Sequence, residues 1–397
     1  MASILRRATY ELNLYYEQRP SLSQSCGCTR FVYNHMLEQK STAYTTDGTH
    51  VSCYEQIKQL PLLKQEFDFL KDVPSQALQQ AIMDLDTAFK NFFRHGAGYP
   101  KFKKKRNGGS FRIPGDCGID FENWTIKLPK VGVVRIYKGK CKPIKGVIKS
   151  CTVRKTPTGR YFLSVLYETE PRKPLNNGKA VGIDMGVKAF ATLSTGEVFE
   201  NQKYLKNNLR KLRVLQRSAD RKYKRGKSRE EQSNNWKSDM RRIAKLHEKI
   251  AFQRRDYLHK VSTEIARSYS KVCVETLNVK GMVKNHHLAQ AISDCGWGMF
   301  IDMLSYKCDD LRRIDRWFAS SQICSECGCR NEAVKDLSVR TWRCPECGAV
   351  HDRDVNAARN ILAAGVNMAS EGGGLLPWDV TKTDASCESQ NGESHGL

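Results

Sequence analysis

The chain has 397 residues, of which 40% are hydrophobic and 9% aromatic, so it is long enough for two or three domains with packed cores. Its 66 lysines and arginines outnumber 42 acidic residues and give a formal net charge of +24. Self-repulsion of this size favours a polyanionic partner, nucleic acid before an anionic membrane surface. Charge carried only for solubility would not be collected into the long basic runs that occur here.

The N-terminal residues lack the apolar segment of a signal peptide, because arginine and glutamate interrupt "MASILRRATYELNLYYEQ". No stretch approaches the roughly 18 apolar residues that span a bilayer. The 15 cysteines are an odd number scattered through a large chain, which is typical of thiols that are free or metal-bound. We therefore expect an intracellular protein, cytoplasmic and nucleoid-associated in a prokaryote, with no membrane partner.

The N-terminal part alternates between strand-like and helical patterns. Residues 1–20 predict one or two strands, and residues 21–94 are helical. In "PSQALQQAIMDLDTAFKNFFR" apolar residues recur at three- and four-residue spacing, which predicts one apolar helix face from Ala77 to Phe92. Pro74 and Ser75 provide the start signal of that helix.

The stretch "GAGYPKFKKKRNGGSFRIPG" interleaves glycine and proline with a run of basic residues between positions 101 and 106. These are candidates for nucleic-acid binding, with a solvated basic loop as the alternative: Lys101, Lys103, Lys104, Lys105 and Arg106. From residue 111 to 167, short β-rich pieces separated by turns predict a small antiparallel barrel or sheet. "PRKPLNNGK", residues 171–179, has the composition of a linker.

The second half begins with "AVGIDMGVKAFATLSTGEVF", which predicts three strands joined by tight turns. Residues 203–269 are helical and basic, and "RKYKRGKSREEQSNN" divides them into a helical hairpin. Residues 201–260 alone contain 20 lysines and arginines against six acidic residues. Tyr223, Trp236 and Trp342 could stack on nucleobases or pack in a core.

The remaining elements follow in order. "KVCVETLNVKGM" predicts a buried strand that ends at a carboxylate, and residues 288–314 look helical. "DVNAARNILAAGV" predicts a helix that ends near Gly365. Residues 369–397 are acidic, contain "EGGG" and have little hydrophobic content, so we expect a disordered tail.

Four cysteines have the spacing of a zinc ribbon, with two C-x2-C pairs separated by 16 residues. Each pair can direct two sulfurs at one tetrahedral ion, and the glycines Gly328 and Gly348 follow the pairs where the chain must turn. Two disulfides are the alternative, and they conflict with an intracellular protein. Cys329 and His351 are additional potential ligands. The predicted ligands of one structural zinc ion are Cys324, Cys327, Cys344 and Cys347.

Acidic residues at three positions stand out by their context. Asp184 follows a buried strand in "VGIDMGV", Glu275 ends "KVCVE", and Asp352 and Asp354 precede the last helix. A charged residue at the buried end of a strand needs a compensating interaction. Taken singly, Asp184 could stabilise a turn, Glu275 could pair with an arginine, and Asp354 could be a helix N-cap.

Together, these carboxylates and their elements are the parts of an RNase H-like nuclease core. In that arrangement three carboxylates bind two Mg²⁺ ions, one activating the attacking water and one stabilising the leaving 3′ oxygen. The product would carry a 5′ phosphate. If residues 352–354 were extended, Asp352 would share a face with Asp354, which makes Asp352 the second choice for the third ligand.

The sequence resembles the TnpB proteins of insertion sequences, compact relatives of type V CRISPR effectors. The resemblance covers roughly residues 75–365. Its matching stretches are "GYPKFKKKRNGGSFR", "GIDMGVKAFATLSTG", "VCVETLNVKGM", "LAQAISDCGWGMFIDMLSYK", "SSQICSECG" and "RTWRCPECGAVHDRDVNAARNIL".

This resemblance implies an RNA-guided, Mg²⁺-dependent DNA endonuclease encoded by a transposable element, with Asp184, Glu275 and Asp354 as the carboxylates of a RuvC-like domain. It implies a guide RNA from the element's own end and target double-stranded DNA next to a short flanking motif. A monomeric ribonucleoprotein is expected. The alternatives are a nuclease-inactive RNA-guided DNA-binding regulator and a directly acting RNase H-like transposase or resolvase.

The implied fold is multi-domain α+β, with an RNase H-like (RuvC) α/β core, an inserted zinc ribbon, and an N-terminal β-barrel interrupted by a helical recognition module. The implied domains are first barrel strands 1–20, helical recognition domain 21–95, remaining barrel 96–178, nuclease core with basic hairpin 179–320, zinc ribbon 321–350, end of the core 351–368 and acidic tail 369–397.

Overall fold

The computed structural model describes residues 3–115, 117–139, 141–170, 178–336 and 338–368. They form two compact units, residues 3–170 and residues 178–368. Most of the predicted linker, residues 171–177, and the predicted disordered tail, residues 369–397, lie outside the described residues. Within the described ranges, none of the helices is long and apolar enough to cross a membrane.

The first unit contains an antiparallel sheet in the order β2-β6-β7-β1-β5-β4-β3. Its central strand is the N-terminal one, and alternate residues of β7, such as Leu163 and Val165, are buried. This period of two places one face of each strand in the core. The strands are β1 Ile4–Asn13, β2 Gly109–Pro114, β3 Ile119–Asp120, β4 Thr125–Leu128, β5 Gly132–Ile136, β6 Val147–Lys155 and β7 Tyr161–Thr169.

Four α-helices lie between β1 and β2 in the chain: α1 Gln18–Asp47, α2 Cys53–Lys58, α3 Leu60–Glu66 and α4 Ser75–His95. The prediction for α4 is confirmed, since the helix starts at Ser75 directly after Pro74. Leu78, Ile82 and Leu85 of its apolar face are fully buried in a core shared with α1 and α3.

The second unit has a mixed five-stranded sheet in the order β10-β9-β8-β11-β12. Strands β8, β9 and β10 are antiparallel neighbours, whereas β8, β11 and β12 run parallel. A separate two-stranded ribbon pairs β13 with β14. The strands are β8 Ala180–Asp184, β9 Ala189–Leu193, β10 Val198–Glu200, β11 Lys271–Glu275, β12 Asp310–Ile314, β13 Thr341–Arg343 and β14 Val350–Asp352.

The helices of this unit are α5 Tyr204–Lys222, α6 Asn234–Ser268, α7 Val279–Met282, α8 His286–Cys295, α9 Trp297–Lys307 and α10 Arg353–Asn367. Helices α5 and α6 form the predicted basic hairpin, held by a core that includes Leu212, Ile243 and Leu246. The prediction of helix throughout residues 288–314 is wrong in its last part, because residues 310–314 form β12. The three-residue spacing of Leu311 and Ile314 imitates a helix, but these residues pair with the open edge of β11.

Helix α10 packs directly on the five-stranded sheet, and two glycines permit the close approach. A Cβ atom on Gly182 of β8 would lie 2.0 Å from the carbonyl oxygen of Ala358 in α10. A Cβ atom on Gly365 of α10 would lie 2.4 Å from the sulfur of Cys273 in β11. Real Cβ atoms do not occupy such positions, so the two glycines fix how α10 lies across β8 and β11.

Candidate functional site

Three carboxylates from distant parts of the chain meet at one edge of the five-stranded sheet, namely the edge at which the neighbouring strands β8 and β11 end. Asp184 is the last residue of β8 and Glu275 the last residue of β11. The two strands are parallel neighbours in which Ile183 pairs with Val274, so both carboxylates follow at the same end. Asp354 lies in the first turn of α10, the helix docked across these strands.

The site is electrostatically unfavourable for its own carboxylates. Burial, reinforced by the charges of Glu275 and Asp354, raises the pKa of Asp184 to about 8, although Arg353 and Arg340 act in the opposite direction. Burial also raises the pKa of Glu275, against a hydrogen bond from the Ser320 hydroxyl. Buried carboxylates that lie close enough to raise one another's pKa are typical of functional sites, including sites that bind cations.

The two aspartates before and within α10 have different roles in the structure. The Asp352 carboxylate accepts hydrogen bonds from the backbone N–H groups of Asp354 and Val355, each at 3.0 Å, and is the N-cap of α10. The alternative of Asp354 as N-cap is thus wrong, and so is an extended backbone through residue 354. Asp354 pairs instead with the Arg340 guanidinium at 3.3 Å.

The carboxylate set fits a hard cation by its chemistry. Oxygen ligands from Asp184, Glu275 and Asp354 suit Mg²⁺, and an ion there would offset their mutual repulsion.

The four cysteines predicted to hold zinc do come together. The sulfurs of Cys324 and Cys347 lie 3.7 Å apart, and those of Cys327 and Cys344 lie 3.6 Å apart. A tetrahedral ion with Zn–S bonds of about 2.3 Å requires sulfur separations of about 3.8 Å. The cluster therefore has the dimensions of a four-thiolate zinc site, and none of the described cysteines forms a disulfide.

Both cysteine pairs lie in turns of the same construction. The N–H of Gly328 donates to the carbonyl of Cys324, and the N–H of Gly348 donates to that of Cys344. Each glycine has a positive φ, 77° and 72°, which favours the absence of a side chain. Of the two additional candidates, Cys329 lies outside the cluster, whereas Nε2 of His351 is 3.1 Å from the sulfur of Cys324.

The sequence interpretation missed two buried asparagines that join α10 to the first cysteine turn. Nδ2 of Asn360 donates to the carbonyls of Ser320 and Ile323, at 2.7 and 2.6 Å. Nδ2 of Asn356 also donates to the Ile323 carbonyl at 2.7 Å, and its Oδ1 accepts from the N–H of Ser325 at 2.9 Å. The four-residue spacing of the asparagines was the available signal, since it places both on one helix face.

The basic candidates of the first unit differ in their surroundings. Lys101 and Lys104 are exposed. Lys103 is exposed over much of its surface, but its ammonium group is enclosed by protein and lies 3.8 Å from the centre of the Tyr33 ring. The burial of this group lowers the pKa of Lys103. Lys105 is exposed, and the side chain of Arg106 lies outside the described part of the structure.

The aromatic candidates also differ. Trp236 and Trp342 are 8% and 7% exposed, which favours core packing, while Tyr223 is 50% exposed. Trp317, which the sequence interpretation did not single out, is 78% exposed, with the Arg316 guanidinium 4.4 Å from its ring centre. It follows β12, whose last residue, Ile314, pairs with Glu275.

Three family models match the chain. A model described as a probable transposase, OrfB_IS605, matches residues 164–286, and a Cas12f1-like TNB domain matches residues 297–361. A model described as a helix-turn-helix domain matches residues 1–49. In the structure, residues 4–47 of that last region form one strand and one uninterrupted long helix.

Curated relatives cover nearly the whole chain. A Streptomyces pristinaespiralis protein named "Putative RNA-guided DNA endonuclease" is 37% identical over 384 residues, which is 95% of this chain and 93% of the relative. The Escherichia coli K12 protein named "Putative RNA-guided DNA endonuclease InsQ" is 36% identical and covers 88% of this chain and 91% of the relative. Among solved structures, a Cas12f1–sgRNA–target DNA complex matches with a TM-score of 0.54 and 13% identity, covering 87% of this chain and 83% of the other.

The fold and the matched models define a transposon-associated protein with Cas12f1-like architecture. The chain belongs to the TnpB family, together with the relatives named as RNA-guided DNA endonucleases.

Proposed function

We infer that this protein is an RNA-guided DNA endonuclease and propose that Asp184, Glu275 and Asp354 form its hydrolytic site. The observation that carries the site assignment is the convergence of three carboxylates from separate segments at one sheet edge, where burial and mutual repulsion raise the pKa of Asp184. Family membership supports the RNA-guided, DNA-cleaving activity.

The second unit is proposed to be an RNase H-like (RuvC) core. Its strand order β10-β9-β8-β11-β12, with an antiparallel half and a parallel half, supports this assignment, as does the helix that carries the third carboxylate. We likewise assign residues 1–20 and 96–178, the regions that contain the strands of the antiparallel sheet, to a β-barrel domain. Residues 21–95 are assigned to helical recognition, and residues 321–350 to a zinc ribbon between the core segments 179–320 and 351–368.

Two kinds of metal ion are proposed. Cys324, Cys327, Cys344 and Cys347 would hold one structural Zn²⁺, which has no open coordination position and so stabilises the ribbon without entering the chemistry. The three carboxylates would hold Mg²⁺, and such ions supply charge stabilisation to the attacking and leaving oxygens of phosphodiester hydrolysis.

The chain's own residues shape this chemistry. Burial first, and then the charges of Glu275 and Asp354, raise the pKa of Asp184, so a divalent cation bound there would stabilise its ionised form. The guanidinium of Arg340 lies 3.3 Å from the carboxylate of Asp354 and holds that carboxylate in one orientation. Hydrolysis adds water across the phosphorus–O3′ bond, so the products carry a 5′ phosphate and a 3′ hydroxyl group.

RNA and DNA are the proposed partners. Pairing between a guide RNA, transcribed from the element's own end, and the target strand would read sequence, while the protein contacts backbone and shape. The basic hairpin of α5 and α6 and exposed residues such as Lys101 and Lys104 supply positive charge for such contacts. We further propose that the exposed Trp317 stacks on a base of the DNA strand near the carboxylates.

The test uses ribonucleoprotein purified with its co-expressed RNA. Sequencing of that RNA should return one discrete species, and a DNA matching its guide should be cut in Mg²⁺. The Asp184→Ala ribonucleoprotein should bind the same DNA without cutting it. Cleavage of duplex DNA by guide-free protein would favour a transposase or resolvase, and guided binding by the unmodified protein with no cutting would favour a regulator.

A further inference from the structure

The segment that leads into the zinc site also contacts the carboxylate site. Ser320 is 6% exposed and donates its hydroxyl to Oε1 of Glu275. Four residues later the same segment reaches Cys324, the first cysteine of the cluster. Residues 320–325, named here the bridging segment, therefore connect the two candidate metal sites through a few covalent bonds.

Helix α10 holds the bridging segment through hydrogen bonds from two of its side chains. Asn356 and Asn360 are 1% and 6% exposed, and they satisfy the carbonyls of Ser320 and Ile323 and the N–H of Ser325. The Ile323 carbonyl accepts from both side chains. Buried polar groups that lose such partners cost about 1–3 kcal/mol each, so the bridging segment has little freedom to move independently of α10.

Asp354 belongs to the same helix as the two asparagines. The backbone N–H of Asp354 donates to the carboxylate of Asp352, the N-cap residue, which fixes the position of Asp354 in the first turn of α10. Asn356 and Asn360 follow further along the same helix. The bridging segment thus holds Glu275 through Ser320 and holds the helix of Asp354 through the asparagines. A displacement of this segment would change the separation of two of the three carboxylates.

We propose that Ser320 is a positioning residue for Glu275, and that the bridging segment, clamped by Asn356 and Asn360, couples zinc binding at the cysteine cluster to divalent-metal binding at the carboxylates. This inference rests on the proposed function of the carboxylate site. A hydroxyl that donates to one carboxylate oxygen fixes the rotamer of Glu275 and leaves the other oxygen for an ion. Removing such a partner of a metal ligand typically costs 10–100-fold in metal affinity.

The first test compares Ser320→Ala with Ser320→Thr and the neighbouring Ser321→Ala, all as guide-loaded ribonucleoprotein. We expect Ser320→Ala to keep its zinc and its guided DNA binding, while the Mg²⁺ concentration for half-maximal cutting rises about 10-fold. Ser320→Thr retains a hydroxyl and should restore most of the affinity, and Ser321→Ala should match the unmodified protein. An unchanged Mg²⁺ midpoint in Ser320→Ala would overturn the positioning role.

A second readout does not depend on cutting. Mn²⁺ binding is measured by electron paramagnetic resonance, and the Mn²⁺ bound by Glu275→Gln ribonucleoprotein is subtracted to remove ions held by RNA. Ser320→Ala should weaken the remaining, Glu275-dependent binding by the same factor as the Mg²⁺ midpoint. If Glu275→Gln itself still cuts DNA, the assignment of the carboxylate site fails; if it is inactive while Ser320→Ala binds Mn²⁺ normally, only the positioning inference fails.

The coupling to zinc is tested by a double perturbation. A chelator selective for zinc should weaken Glu275-dependent Mn²⁺ binding in the unmodified protein, and the same treatment should add little further loss in Ser320→Ala. Asn360→Ala should lose zinc more readily and weaken Mn²⁺ binding together, whereas Asn367→Ala, at an exposed position of the same helix, should change neither. Independent, additive losses from chelation and from Ser320→Ala would show that the coupling does not pass through this residue.

Discussion

Replacing Asp184 by asparagine should stabilise the fold in the absence of magnesium while abolishing cutting. Burial and the neighbouring carboxylates raise the pKa of Asp184 from 3.8 to about 8. At pH 7 the Asp184 carboxyl has released its proton in the unfolded chain but retains it in the native chain. The unfolded pKa of 3.8 lies roughly three units below pH 7, and each unit corresponds to about 1.4 kcal/mol. The native state is therefore disfavoured by up to about 4 kcal/mol. Since Asp184 interacts with neighbouring carboxylates and keeps part of its surface exposed, we expect about half of this, ~2 kcal/mol.

The pH dependence has a definite sign. A carboxyl with a raised native pKa leaves stability intact below its unfolded pKa of 3.8 and costs stability as the pH rises towards about 8. The asparagine variant does not titrate at this position. Its advantage over the unmodified protein should therefore be absent near pH 4, grow through pH 6 and reach its maximum near pH 8.

The assay is thermal unfolding in magnesium-free buffer with zinc retained, at pH 6 and pH 8. A gain of ~2 kcal/mol in a unit of this size should raise Tm by about 4–8 °C at pH 8. Adding Mg²⁺ should raise the Tm of the unmodified protein and leave that of Asp184→Asn unchanged. Glu264→Gln, at an exposed position on α6, controls for the loss of one negative charge from a basic protein. An Asp184→Asn variant no more stable than this control at pH 8 would refute the electrostatic reasoning.

Three further predictions follow from the second unit. Asp354→Asn should abolish cutting while guided DNA binding is retained. Asp352→Ala should impair cutting less, and it should lower Tm because it removes a helix cap worth about 1 kcal/mol. The opposite ranking in a cleavage assay would make Asp352 the third ligand. Gly182→Ala places a methyl group 2.0 Å from a carbonyl of α10 and should make this unit protease-sensitive, while Gly298→Ala, with nothing within 4 Å, should behave as the unmodified protein in limited proteolysis. Cys347→Ser should remove one zinc per chain in elemental analysis, and full zinc retention would show that another ligand, such as a histidine, completes the site.

The sequence was informative wherever one local pattern has one physical meaning. Two C-x2-C pairs predicted a cluster that the structure brings to tetrahedral dimensions. Asp184 and Glu275 each ended an apolar run, and such residues meet when the two strands are parallel neighbours. The apolar spacing of α4 and of the α5–α6 hairpin was sufficient to place both, since a helix records its buried face every three to four residues.

The errors arose where tertiary contacts decided between local alternatives. Residues 310–314 carry charges and a three-residue apolar spacing, and they form a strand because β11 offers them a hydrogen-bonding edge. The choice of N-cap between Asp352 and Asp354 depended on where α10 starts, which the β13–β14 pairing determines. Ser320 has no local signal at all, because its partner Glu275 lies 45 residues away in the sequence.

The position of the cysteine cluster immediately before the last helix has a structural consequence for the carboxylates. Strand β14 ends at Asp352, which pairs with Thr341 of β13 and caps α10, and the N–H of Arg353 donates to the carbonyl of Arg340 at 2.8 Å. The ribbon therefore fixes the first residue of α10, and a shift of one residue in that start would rotate Asp354 by about 100° around the helix axis. At its other end the ribbon begins with the bridging segment, which holds Glu275. A zinc ion bound at the cysteine cluster would therefore constrain two of the three carboxylates at once, although the cluster supplies no ligand to the carboxylate site.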